Sequence, residues 1–214
     1  MTLDELLHNP KALPTAPKVL ADLIQSFENA EVSVTQITRT LSADPILSAK
    51  LLRLANSAYY KVSRSVATVD DAVRMLGFVT VRTLVISSGL VNGFNSAPGL
   101  DLQRFWRYSL NTAVAARWIA KKTGEDPDLA FTVGLMHAIG LVIIHAGMPT
   151  QAQALDAAIG PYDPGRMTYE MDTLGYSFYD VGAGLAQRWK FPAVFTRTIQ
   201  DVARIAAVLG MRVI

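Results

Sequence analysis

The sequence predicts an all-α protein built as two helical lobes with no significant sheet. Helix start signals recur along the 214 residues: Thr2 with Glu5, Ser33 with Gln36, Asp44 with Pro45, Thr68 with Asp71 and Asp126 with Pro127 each set a capping side chain ahead of a periodic segment. Apolar residues return at spacings of three and four, and no alternating stretch longer than a few residues reads as a strand. Half of the residues are apolar and 18% are charged, which excludes a disordered chain.

The elements follow from these signals in order. The Thr2 and Glu5 pair opens a first helix, and Pro17 opens a second with Val19, Leu20, Leu23, Ile24 and Phe27 at helical spacing. Ser33 and Gln36 cap a third, and Asp44 followed by Pro45 leads into ILSAKLLRLAN. Thr68 starts a short helix closed by Gly77, and VTVRTLVISSGLVNGF follows as another. NSAPG, residues 95–99, is the best linker, so the expected lobes are 1–97 and 98–214. A long helix from Asp101 to about Thr123 is ended by Gly124, with Leu102, Phe105, Trp106, Leu110, Ala113, Ala116 and Ile119 along one side. Asp126 and Pro127 start one helix that carries GLMHAIG as far as Pro149. Further helices are expected over 149–159, 164–174, 177–189 and from Pro192 onward.

Composition narrows the function. There are no cysteines, so thiolate metal sites and cysteine nucleophiles are excluded. The N-terminus lacks a basic region and an apolar core, and the apolar run Ala138–Met148, interrupted by Gly140, His145 and Gly147, is shorter than the roughly 20 residues of a membrane span. A soluble, cytoplasmic protein with no membrane partner is expected. The net charge of +2 is too small to argue for nucleic acid, but residues 45–99 hold six basic and two acidic residues. Lys50, Arg53, Lys61, Arg64, Arg74 and Arg82 therefore define a possible partner-facing or anion-facing surface, against the plainer reading of a solvated helix face.

His137 in GLMHAIG is the chemical candidate. A helical histidine beside an aspartate is the nucleus of one kind of metal phosphohydrolase site, where the metal activates water and offsets phosphate charge. Here the next residue is Ala138, and only His8 and His145 remain as other histidines. On one ideal helix His145 would lie about 80° around and about 12 Å along from His137, too far to share an ion. Phosphate-loop motifs are absent. GAGLAQ at Gly182 falls inside an expected helix, where its glycines suit close packing, and ISSGL at Ile86 is not a nucleophile elbow.

Five segments, DPILSAKLLRLANSAYY, VATVDDAVRMLGFVTVRTLVIS, FWRYSLNTAVAAR, GLMHAIGLVII and LGYSFYDVGAGLAQRW, closely resemble in order and spacing the HDOD family, the HD-related output domain of bacterial signalling proteins. The resemblance covers about residues 13–192. It implies a C-terminal lobe related to HD phosphohydrolases and a regulatory, partner-binding role. Where metal-dependent relatives carry ligands, this chain has Tyr108, Ala138 and Phe178, and only His137 matches. The resemblance therefore implies no enzyme, no cofactor and no metal. Relatives often carry a further histidine-containing segment after Pro192, which this chain lacks, so a shortened final helix is expected.

The leading expectation is a non-catalytic module that binds a signalling protein. The alternative is a nucleotide or cyclic-dinucleotide sensor whose vestigial pocket is formed by Tyr108, Asn111, His137, Phe178 and Asp180, with Asp180 equally readable as the capping partner of Ser177. A third is weak nucleic-acid binding through the basic block, with Tyr59 and Tyr60 for stacking, which the modest charge disfavours.

Overall fold

The computed structural model describes residues 1–13, 18–25, 34–57, 65–94 and 96–208, and among these residues it holds thirteen α-helices and no strand. The all-α expectation is met. Two compact units are present, Met1–Thr15 with Val91–Ile214, and Ala16–Leu90. This differs from the expected division near residue 97, because the first helix groups with the C-terminal residues.

The 16–90 unit contains α2 (Lys18–Gln25), α3 (Val34–Ser42), α4 (Pro45–Ala55), α5 (Val69–Leu76) and most of α6 (Phe78–Gly93). Asp44 accepts hydrogen bonds from the Ile46 and Leu47 amides at 2.9 and 3.0 Å, so Pro45 begins α4 where its missing amide hydrogen costs nothing. Thr68 Oγ1 accepts from the Asp71 amide at 3.1 Å, and Gly77 ends α5 at φ 79°, a conformation that glycine adopts without penalty. Leu20, Leu23, Ile24, Ile37, Leu41, Leu51, Ala72, Val81 and Ile86 are buried in this unit. The Ser33 cap, Pro17 and Phe27 lie outside the described residues.

The other unit contains α1 (Leu3–His8), α7 (Leu102–Thr123), α8 (Pro127–Met136), α9 (Ile139–Gly147), α10 (Pro149–Ala158), α11 (Arg166–Leu174), α12 (Phe178–Arg188) and α13 (Ala193–Val208). The Thr2 and Glu5 capping box is present, with the Thr2 amide donating to Glu5 Oε2 at 2.8 Å and the Glu5 amide to Thr2 Oγ1 at 3.2 Å. Asp126 caps α8 by accepting from the Asp128 and Leu129 amides at 2.8 and 3.0 Å. The core is α9, whose residues Ile139–His145 are all buried, with α1, α10 and α12 packed around it. Gly184 receives Leu7, whose Cδ1 would lie 2.4 Å from any added Cβ, so the glycines of GAGLAQ do serve close packing.

Two expectations are corrected. GLMHAIG does not lie in one continuous helix: α8 ends at Met136 and α9 begins at Ile139. Leu110 and Ile119 are 49% and 54% exposed, so the apolar side of α7 read from the sequence is not all core; Phe105, Ser109, Ala113 and Ala120 are the buried set. The final helix, α13, runs 16 residues. Taken through the break, Pro127–Gly147 is 21 residues, longer than the apolar run read from the sequence; its most apolar 18 residues have mean hydropathy 2.0, and 78% of them are buried inside the fold.

Candidate functional site

The break between α8 and α9 positions His137. Gly134 lies against α7, where an added Cβ would sit 2.8 Å from Ala113 Cα, and Gly140 lies against α12, where it would sit 1.9 Å from the Phe178 carbonyl oxygen. Each glycine sets its half of the segment against a different neighbour, and the helix is interrupted between them, at His137 and Ala138. The His137 Nδ1 hydrogen is given to the Gly134 carbonyl at 2.7 Å. Burial lowers the imidazole pKa from its ordinary value, and that carbonyl contact opposes the shift only in part, so the ring is neutral at pH 7.

His137 opens onto a cleft of about 240 Å³. Its walls are Tyr108 from α7, Ala138 and Leu141 beside the break, Pro161, Tyr162, Asp163 and Pro164 from the loop before α11, Met167 from α11, and Phe178 and Tyr179 from the start of α12. The rings of Tyr108 and His137 have centroids 5.3 Å apart, those of Tyr108 and Tyr162 4.9 Å, and those of Phe178 and Tyr179 4.0 Å. The Arg104 guanidinium lies 5.2 Å from the Tyr162 centroid, a cation–π distance. Burial raises the Tyr162 hydroxyl pKa against the pull of Arg104, and it pushes Tyr179 up to about 12. Tyr162 and Tyr179 therefore keep their hydroxyl protons at pH 7, and Asp163 brings a carboxylate to the same wall.

A buried ionic cluster stands behind this wall. Arg166 gives Nη1 hydrogens to Asp156 Oδ1 at 2.6 Å and the Ile159 carbonyl at 2.7 Å, and its Nε hydrogen to Glu170 Oε1 at 2.7 Å. Glu170 Oε2 accepts from the Phe178 amide at 2.7 Å, so the cluster fixes the first residue of α12 at the cleft. Burial raises the Glu170 pKa, and the Arg166 contact opposes the rise. His145, fully buried, gives its Nδ1 hydrogen to the Pro98 carbonyl at 3.1 Å and sets Nε2 3.3 Å from Asp156 Oδ2.

Of the expected pocket residues, the structure brings Tyr108, His137 and Phe178 together. Asn111 is exposed on α7 and is not among the lining residues. Asp180 is the capping partner: it accepts from the Ser177 amide at 2.8 Å and hydroxyl at 2.7 Å. Sequence reasoning missed Tyr162 and Tyr179 in the wall and Arg166 and Glu170 behind it; the four-residue spacing of the last two was their only local signal.

These residues do not fit a divalent cation. His137 stands beside the methyl group of Ala138, faces aromatic rings, and among the described residues no three His, Asp or Glu side chains gather to hold an ion. The basic surface of residues 45–99 is also reduced. Arg53 is exposed and Lys50 half-buried, Arg74 pairs with Asp70 at 2.8 Å, and Arg82 is only 8% exposed, so it is not a surface residue. Lys61, Arg64, Tyr59 and Tyr60 lie outside the described residues.

Comparison with known proteins gives one family model, the HDOD domain, matching residues 13–205. An uncharacterized protein of Treponema pallidum is 28% identical over 196 residues, 88% of this chain and 37% of its own length. A crystal structure from Shewanella amazonensis, provisionally named a phosphohydrolase, is 40% identical at a TM-score of 0.76, covering 91% of this chain and 70% of that one. An HDOD domain protein with unknown function from Geobacter sulfurreducens is 27% identical at a TM-score of 0.73, covering 87% of this chain and 63% of that one. The chain spans little more than a third of the Treponema protein's length.

Proposed function

The chain belongs to the HDOD domain family, and from that premise we propose that it is a cytoplasmic regulatory module that acts by binding a signalling protein and carries out no hydrolysis at His137. One observation carries this reading: His137 is hydrogen-bonded to Gly134, flanked by Ala138 and walled by tyrosines, and with Asp163 in the same wall the described residues still bring fewer than three His, Asp or Glu donors together there. The provisional name of the Shewanella amazonensis protein marks phosphohydrolysis as the competing reading.

Metal analysis of the purified chain, together with turnover assays on cyclic dinucleotides and nucleoside monophosphates, decides between them. Substoichiometric metal and no turnover are expected. Stoichiometric metal, with turnover that His137→Ala abolishes, would sink the proposal.

The aromatic cleft supports a second reading, ligand sensing without chemistry. Tyr108, Tyr162 and Tyr179 offer faces on which a nucleobase can stack, and Arg104 at the rim offers charge to a phosphate. Calorimetric titration with guanine and adenine nucleotides, linear and cyclic, tests it: heat that Tyr108→Ala removes supports it, and no heat with any of them ends it. Nucleic-acid binding is the least supported reading, since Arg74 is paired and Arg82 buried.

A further inference from the structure

Leu110, Val114 and Trp118 stand four residues apart along α7 and are 49%, 56% and 63% exposed. Spaced in this way they form one stripe about 12 Å long on the outer side of the helix, opposite the buried Phe105, Ser109, Ala113 and Ala120. A surface helix normally keeps such positions polar. The charge is equally lopsided: α7 carries Arg104, Arg107, Arg117, Lys121 and Lys122 and no acidic residue. Arg117 is held by Asp128, whereas Arg107, Lys121 and Lys122 are exposed around the stripe, with Lys122 Nζ 5.8 Å from the Trp118 ring.

We propose that this face of α7 docks an acidic amphipathic helix of a protein partner. The inference rests on the protein-binding reading above and names its surface. The stripe has the i, i+4, i+8 spacing that one apolar helix seam meets, and basic residues at both its ends match acidic flanks on the incoming helix. Tryptophan and arginine are the residue types that carry most energy at such contacts. A second copy of α7 is a poor occupant, because it would bring two all-basic helices together. An anionic membrane is also a poor one, because Asp101, Glu125 and Asp126 lie at the two ends of the helix and would face the lipid charge.

The test titrates the full chain into a fluorescein-labelled amphipathic peptide of about 18 residues, long enough to hold a helix, with leucines on one face and glutamates flanking them. The same peptide with lysine for glutamate is the control, and fluorescence anisotropy is the readout. The glutamate peptide is expected to bind about tenfold or more tightly than the lysine peptide and to weaken as salt rises. Trp118→Ala and Arg107→Glu/Lys121→Glu are each expected to weaken it about tenfold or more, with unchanged circular dichroism melts.

Failure of the glutamate peptide to bind, equal binding of the two peptides, or unchanged affinity in the variants overturns the surface. So does cosedimentation with phosphatidylglycerol vesicles, or a dimer in sedimentation, that Trp118→Ala abolishes. A variant-insensitive glutamate peptide leaves the protein-binding module standing and moves its surface. A positive metal and turnover result would instead sink the broader reading without altering the anisotropy.

Discussion

His137 shows how one residue type can mark a family and still lack its partners. Its ring is neutral because burial disfavours the charged form, and the Gly134 carbonyl supplies the one strong polar contact. The folded-state pKa is therefore below the ordinary 6.5. The unfolded chain binds the proton first on acidification, so His137 contributes no penalty above pH 6.5, and stability is lost as pH falls from there toward the folded pKa. Urea midpoints measured across that window are expected to fall for the native chain and to fall less for His137→Gln, and an NMR titration should place the ring below 6.5. The sequence revealed Tyr108, His137 and Phe178 as neighbours through the family pattern. Asn111 and Asp180 failed for different reasons: Asn111 lies on the open side of α7, and Asp180 answers the nearer demand of the Ser177 cap. Tyr162 could not be placed, because a loop residue reaches the cleft only through the fold.

At the scale of elements, capping was legible because it is local. Asp44, Thr68, Asp126 and Ser177 each satisfy an amide two or three residues away, and each cap lies where the sequence put it. The break at His137 and Ala138 was not legible, because neither residue is a helix breaker and its cause lies in two backbone contacts made by other helices. Gly140 is the tighter one. Gly140→Ala would drive a methyl group into the Phe178 carbonyl, which cannot retreat while its own amide is held by Glu170. A loss of about 3 kcal/mol is expected from such overpacking, read as a lower urea midpoint, whereas Gly175→Ala, with open space around its Cβ but φ at 83°, should cost about 1 kcal/mol. A larger loss at Gly175 than at Gly140 would refute this account of the break.

For the whole molecule, the sequence suggested two lobes in chain order, and the structure has a C-terminal unit that includes the first fifteen residues. Nothing local could show this, because α1 pairs with α9 and α12 from the far end of the chain. Leu6 is fully buried against Gly147, and Leu7 fills the notch at Gly184. A fragment of residues 91–214 should therefore melt well below the same fragment with residues 1–15 joined through a flexible linker, and Leu6→Ala in the full chain should cost about 3 kcal/mol. Equal melting temperatures for the two fragments would show that α1 is dispensable. The same arrangement sets a schedule for biosynthesis. The α1 segment leaves the ribosome well before α9 and α12, so Leu6 must wait for Gly147 and Leu7 for Gly184, a delay on the order of ten seconds at translation speed. Residues 16–90 can close on themselves in that interval, while the leucines of α1 remain in water until α9 and α12 arrive to cover them.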